Sequence, residues 1–336
     1  MSEKKRVLII DQLNLFFRNY IVNPSLSVNG SPIGGLKGTI QSLQKLVRES
    51  KPDMVVICWD GEGGSAKRKI LKKDYKAGRK PIRLNRDIRN LTENQEMQNK
   101  VWQQTRLAEY FNSMPVIQFM YRSTEADDII SYVAHHPALD GWQKLIVSSD
   151  KDFFQLMNDE TVLLRPVQKE VVNKKMLLEK FEIHPNNFAM ARAMVGDKSD
   201  NIEGIPGIGL KTVAKRFPFL ADQESVTFEK LISFCQEMLE KKNIKVYQNV
   251  VENEDLLRRN YQMMQLYTPM LSIDAKKEIL ETITMAEPLF NRTEVIKMMT
   301  QDGFGEINLM QCVGPKQAVV LAGAGVVIAA LEVAHA

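Results

Sequence analysis

Five carboxylates cluster at the two ends of the stretch Ser123 to Asp152: Glu125, Asp127 and Asp128 in S-T-E-A-D-D-I-I, then Asp150 and Asp152 in S-S-D-K-D-F. The first three open a segment whose apolar residues recur at helical spacing, with Ser123 or Thr124 available as its cap. The other two follow the apolar run Leu145-Ile146-Val147 and project to one side at period two. A helix dipole offsets only about 0.3–1 kcal/mol per acidic residue. So many converging carboxylates call for cations, and an all-oxygen ligand set suits magnesium or manganese.

Other elements position further carboxylates. Val7-Leu8-Ile9-Ile10 ends at Asp11, and Met54 to Trp59 ends at Asp60. Both are short continuous apolar runs, as in the buried strands of a parallel sheet. A helix is predicted over 13–20 and another from Leu36, whose stripe is Leu36, Ile40, Leu43, Leu46 and Val47. Strand and helix in alternation give a doubly wound α/β pattern. Asp11, Asp60 and Asp150 all stand at carboxyl ends of strands, where open α/β sheets put their ligands. One such Asp is ordinarily a turn or a cap; three of three point to a shared site.

Between Lys67 and Arg89 lie eleven basic residues and two acidic ones, Asp74 and Asp87. Solvated helix faces mix signs, so a one-sign segment beside a carboxylate cluster fits a polyanion held near bound metal. Apolar residues are sparse through 61–112, which predicts an insertion standing off the core. Tyr75, Trp102 and Tyr110 have faces on which bases can stack, although for Trp102 and Tyr110 packing within the insertion is the simpler reading.

A second informative segment runs M-V-G-D-K-S-D-N-I-E-G-I-P-G-I-G-L-K-T-V-A-K-R-F. Asp197 and Asp200, three apart, read as neighbours on one helical turn. Gly204, Gly207 and Gly209 make a tight turn into a helix carrying Lys211, Thr212 and Lys215. Glycines permit close backbone approach to a phosphate, and the helix start offers unpaired N–H groups.

Taken together, these motifs resemble the flap endonuclease and 5′–3′ exonuclease family, which includes the 5′-nuclease domain of bacterial DNA polymerase I and phage enzymes some of which are called RNase H. The resemblance covers roughly residues 5–265. It implies a PIN-like, mostly parallel sheet flanked by helices, a helical arch insertion over 61–112, and a C-terminal helical region with a helix–hairpin–helix at 196–217. The expected layout is a nuclease core over 1–185, a helical DNA-binding region over 186–310 and an apolar tail over 311–336. The family's acidic site falls on Asp11, Asp60, Glu125, Asp127, Asp128, Asp150, Asp152, Asp197 and Asp200, implying two magnesium or manganese ions. Arg68 and Lys76 match arch residues that orient the phosphate, alongside Asp150 and Asp152 as catalytic. DNA contacts are expected from Arg68, Lys72, Lys73, Tyr75, Lys76, Arg79 and Lys80 in the arch. In the hairpin they are expected from Gly204, Gly207, Gly209, Lys211, Thr212 and Lys215, with potassium there.

The expected activity is cleavage of 5′-flap DNA and release of nucleotides from 5′ ends, with RNA primers in RNA–DNA hybrids a further target. Branched or nicked duplex DNA is the expected partner, with replication proteins as others, for a monomer away from the membrane. A PIN-type ribonuclease shares the acidic α/β site but not the glycine-rich duplex module. A catalytically inactive DNA-binding protein could keep the fold but need not keep nine carboxylates.

Composition bounds the remainder. The chain has 336 residues, 44% of them apolar, enough for a sizeable core, and 45 basic against 41 acidic residues leave a net charge of only +4. Charge distribution therefore says more than total charge. Cys58, Cys235 and Cys312 lack metal or disulfide spacing and read as reduced thiols. The charged start leading straight into a strand has no signal-peptide core, so a cytoplasmic protein is expected, in the host if phage-encoded. Ala318 to Leu331 is apolar but shorter than the roughly 20 residues of a membrane span.

Overall fold

A computed structural model of the chain describes residues 4–242 and 244–305. Cys312 and the apolar run 318–331 lie outside these residues. Six strands form one sheet: β1 (Arg6–Asp11), β2 (Met54–Cys58), β3 (Ile117–Phe119), β4 (Gln143–Val147), β5 (Thr161–Arg165) and β6 (Glu170–Val172). Their order is β3-β2-β1-β4-β5-β6. All neighbours pair parallel except β5 with β6, which are antiparallel. The chain order reverses beside β1, so the crevice at the carboxyl ends of β1, β2 and β4 is the topological switch point.

Strand pleating distributes the apolar runs to two faces. Val7, Ile9, Val56, Cys58 and Ile146 face one core, while Leu8, Ile10, Val55, Ile57, Leu145 and Val147 face the other. Both faces are buried, which is why these strands read as continuous apolar runs rather than alternating ones.

The second face is covered by α1 (Gln12–Val22), α2 (Gly34–Ser50) and the inner stripe of α4 (Glu93–Asn112), which follows the short α3 (Ala66–Leu71). The first is covered by α5 (Ala126–Ala134) and, beyond α6 (Lys174–Phe181), by α7 (Pro185–Val195). Next come α8 (Leu210–Arg216), α9 (Phe228–Lys241), α10 (Lys245–Glu252), α11 (Glu254–Met264), α12 (Ile273–Met285) and α13 (Arg292–Gln301).

Two sequence expectations are corrected here. The insertion does not stand off the core: Leu107, Tyr110 and Phe111 of α4 are fully buried against the sheet. Their spacing of three and four puts them on one stripe, and the polar remainder of α4 hides it in a composition count. Second, the boundary at 185–186 does not divide two cores. One apolar cluster runs from Ile146 and Phe154 through Phe188 and Met194 to Leu257 and Ile283. Val295 and Met298 of α13 return to the opposite face, and Asp302 accepts bonds from Arg106 and Tyr110 of α4, both 2.7 Å.

Candidate active site

β1 delivers Asp11 to the carboxyl edge of the sheet, where it caps α1 by accepting the Asn14 N–H at 3.2 Å. Its second oxygen accepts the Ser148 hydroxyl at 2.8 Å. β2 delivers Asp60, which accepts the Ala126 N–H at 3.0 Å and so caps α5 from another element. The residue at the N-cap position of α5 is Glu125, which makes no side-chain cap bond; Ser123 and Thr124 lie outside it. This corrects the cap assignment, and it has a use. The carboxylate of Glu125 stays available, and Asp127 sits in the first turn facing Asp150 and Asp11. After β4, Ser148 accepts the Asp150 N–H at 3.1 Å, and Asp150 accepts the Asp152 N–H at 2.8 Å. The two carboxylates thus come from a hydrogen-bonded turn, not from strand alternation.

These groups strain one another electrostatically. Burial, and then the charge of Asp60, push Asp11 up to about 7. Burial, then Asp150, push Asp152 up to about 7, against the pull of Arg192. Asp60 is raised mainly by burial, and Asp127 is raised well above the carboxylate range by burial, Asp150 and Asp11. Among the described residues no group of three or more His, Cys, Asp or Glu side chains is already drawn in around an ion position. A ring of partly buried oxygens that raise each other's proton affinity is nevertheless the donor chemistry of a hard divalent cation, since a cation relieves what protonation otherwise must. The acidic set therefore fits such ions.

The rim of the site is built differently. Lys76 Nζ lies 2.6 Å from Glu125, and Arg68 lies 3.0 Å from Glu125 and 2.8 Å from Asp128. Tyr75 donates to Glu125 and Asp200, each at 3.2 Å. Arg79 pairs with Asp200. The Lys76 N–H donates to the Asp200 carbonyl at 2.9 Å, and Asn201 holds Asp74 at 2.7 Å. Segment 72–79 is thereby docked onto the loop 197–201. Burial alone would lower the affinity of Lys76 and Arg68 for their protons; Glu125 for the lysine, and Asp128 with Glu125 for the arginine, hold both above ordinary.

This geometry revises two expected roles. Arg68 is buried, with its Nε on the Met263 carbonyl at 2.9 Å, so it supports Glu125 rather than meeting a phosphate. Asp128 accepts Arg68 and the Met270 N–H at 2.9 Å, so it is the counter-ion of that arginine and not an open ligand. Both are buried because α11 and the 263–270 segment close over them, which no local spacing reveals. Lys73 and Lys80 are exposed, whereas Lys72 holds Asp74 at 2.6 Å.

On the far side, Asp197 begins a short 3-10 turn, Lys198–Asp200, and caps it through Ser199 at 2.7 Å. Asp197 and Asp200 are therefore not adjacent on an α-helical turn, and they turn to different cations, Arg192 and Arg79. Ser199 and Arg192 hold Asp197 below the usual carboxylate range, against the effect of its burial. The glycines explain the loop. Gly196 has φ +73° and lies back to back with Gly204, where an added Cβ on either would meet backbone within 2.4 Å. Gly207 has φ +76°, and at both Gly207 and Gly209 an added Cβ would meet open space. The turn into α8 is thus presented outward, with Lys211 and Lys215 exposed and Thr212 half-buried beside it.

Three supporting residues carried no usable signal in the sequence. Arg192, nearly buried in α7, reaches Asp152 at 2.9 Å and Asp197, joining the strand side to the hairpin side. Its one trace is a charge in the otherwise apolar A-M-A-R-A-M-V. Gln155 ties the Asp152 carbonyl at 2.7 Å to the Met264 carbonyl and the Leu266 N–H. Asn260 holds the Ala193 and Glu203 carbonyls at 3.0 and 2.7 Å.

Residues 6–182 match the family model described as 5′-3′ exonuclease, N-terminal resolvase-like domain. A 5′-3′ exonuclease of Aquifex aeolicus is 27% identical over 285 residues, covering 82% of this chain and 86% of that protein. The thermostable DNA polymerase I of Thermus aquaticus is 29% identical over 213 residues, but these make up only 24% of its length against 63% of this chain. Among solved structures, the bacteriophage T5 D15 flap endonuclease in complex with DNA and metal ions superposes with a TM-score of 0.62 at 18% identity. It covers 92% of this chain and 99% of its own. At that identity the likeness concerns the fold.

Proposed function

We propose that this chain, which belongs to the 5′–3′ exonuclease family, is a metal-dependent, structure-specific 5′ nuclease acting on 5′-flap DNA and from 5′ ends. The observation that carries the proposal is one juxtaposition. An uncompensated acidic cluster at the carboxyl ends of β1, β2 and β4 lies under a basic segment docked on its rim. Asp11, Asp60, Glu125, Asp127, Asp150 and Asp152 are the side chains we assign to hold two magnesium or manganese ions, with Asp197 and Asp200 acting from the hairpin side. When bound, such ions supply an activated water and relieve charge on the phosphate and the leaving oxygen.

The chain's own residues do the rest. Lys76, partly exposed at the rim, is the group we assign to the scissile phosphate, whose oxygen it would meet in place of Glu125. Arg68 holds Glu125 in orientation. Arg192 does the same for Asp152 and Asp197. The outward turn at Gly204, Gly207 and Gly209 with Lys211, Thr212 and Lys215 grips duplex phosphates without reading sequence, and potassium belongs there on the same reading. Lys73, Arg79 and Lys80 line the entry of the 5′ strand, whereas Tyr75 is buried on Glu125 and Asp200 and positions the segment, offering no face on which a base can stack. RNA–DNA hybrids as substrates, replication proteins as partners, a monomeric state and a cytoplasmic location belong to the same proposal. No helix among the described residues is long and apolar enough to cross a membrane.

One gel tests it. With magnesium the protein should cut 5′-flap and nicked duplexes and leave single-stranded RNA intact, and a chelator should stop it. Asp150→Asn should abolish cleavage while flap binding stays within a few-fold. RNA cut in preference to flapped DNA favours the PIN-type ribonuclease, and flap binding with no cleavage under any divalent ion favours the inactive binder.

A further inference from the structure

Beyond Arg79 the basic segment leaves the acidic site and forms one wall of a groove of about 530 Å³, whose other wall is the end of α1. Ile21, Val22 and Ile82 give it apolar surface, and Lys80, Arg83 and Arg86 give it charge. Both walls are pinned. Asn85 donates to the Ile21 carbonyl at 3.0 Å, and the Leu84 N–H donates to Glu96 of α4. Arg83 is engaged by Glu93 and Glu96. Lys80 and Arg86 have no carboxylate partner among the described residues. Ile21 and Val22 remain 48% and 62% exposed, an unusual state for two adjacent aliphatics ending a helix that otherwise buries its stripe.

We propose that this groove holds a nucleotide of the 5′ single strand upstream of the cut, its base against Ile21 and Val22 and its phosphate between Lys80 and Arg86. Cations for a backbone beside apolar surface for a base face fit sequence-independent single-strand binding, with aliphatic side chains here in place of the aromatic ones such grooves commonly use. Charge complementarity selects the occupant: the only acidic residue in the lining is Asp87. Chain reach sets the register. Lys76 at Glu125 and Arg83 in the groove are seven residues apart, so at most about 25 Å separates them. A strand advancing at least about 3.4 Å per nucleotide covers that span within about eight nucleotides. The groove therefore distinguishes long flaps from bare 5′ ends. The inference deepens the proposed function and rests on it.

The test uses Arg86→Ala and Val22→Asp in the full chain. Two readouts are taken: anisotropy of a labelled oligothymidylate of about eight residues in chelator, and cleavage in magnesium of duplexes with a flap of that length or none. Each variant should weaken oligothymidylate binding about three- to tenfold, and Arg86→Ala should lower the salt slope by about 0.7 for one lost phosphate contact. The ratio of KM for the flapped to the unflapped duplex should rise at least threefold, and Arg86→Lys should restore it. Equal loss on both duplexes, or unchanged oligothymidylate binding, overturns the groove. Binding to an acidic peptide that survives in place of oligothymidylate binding also overturns it. A wild type that cuts neither duplex overturns the nuclease reading instead, and the anisotropy still decides the groove.

Discussion

The two halves of the acidic site are made of the same residue types and are held in opposite ways. On the rim, Glu125, Asp128 and Asp200 each have a resident cation in Arg68, Lys76 or Arg79. On the floor, Asp11, Asp60, Asp127 and Asp150 have no ion pair among the described residues, and Asp127 accepts no hydrogen bond either. The rim is a finished piece of protein structure. The floor is unfinished and stores repulsion that only protons or added cations relieve. Burial alone therefore does not separate the two halves; the absence of a counter-ion does.

The largest effect that sharpens this contrast is on the floor. Asp127→Asn should lower the cleavage rate by about a thousandfold or more through loss of an ion ligand. It should also raise the stability of the metal-free protein, because it removes a carboxylate that Asp150 and Asp11 repel. Cleavage rates and urea denaturation in chelator check the two halves of that statement, and a destabilised Asp127→Asn protein would break the comparison.

The rim should answer with the opposite sign. Arg68→Met strands Asp128 in a buried place without its cation and leaves Glu125 to Lys76 alone, and should cost about 3–5 kcal/mol of stability, read by the same denaturation. A loss below about 1 kcal/mol would mean that the rim is no more finished than the floor.

Acidity separates the halves next. Asp11 and Asp152 have folded-state affinities raised to about 7, against about 4 in an unfolded chain. The folded state then binds protons that the unfolded state has released. Stability in chelator should fall by several kcal/mol as pH rises from about 4 to 7 and level off above. Magnesium should raise the melting temperature more at pH 8 than at pH 5.5, where protons already occupy the floor. An equal magnesium shift at both values counts against the floor as the ion site.

The smallest effect concerns the latch between the basic segment and the hairpin side. Arg79 is half exposed, and solvent screens its bond to Asp200. Arg79→Ala should therefore change stability by less than about 1 kcal/mol, while making 72–79 more open to proteolysis. Unchanged proteolysis would show that Tyr75, Asn201 and the Lys76 backbone hold the latch without Arg79.

Much of this was legible before any coordinates, and the reason is physical. Continuous apolar runs fix buried parallel strands, and an Asp at the end of each such run must emerge at one edge of the sheet. That places Asp11, Asp60 and Asp150 together from one-dimensional information. The glycines at 204, 207 and 209 were likewise readable as a tight turn, whereas the close approach of Gly196 to Gly204 appears only in the fold. Local chemistry did not reveal the partnerships. Arg68 and Asp128 are 60 residues apart and lie beneath a segment near 263–270. Arg192 joins Asp152 to Asp197 only because α7 packs beneath the loop after β4. The stripe of α4 was lost in a polar helix until the sheet selected it. The sequence by itself determined which carboxylates meet, since strand ends and tight turns are set by neighbours along the chain. Only the tertiary structure decided which of them already have a cation, since a counter-ion is chosen by packing between distant segments.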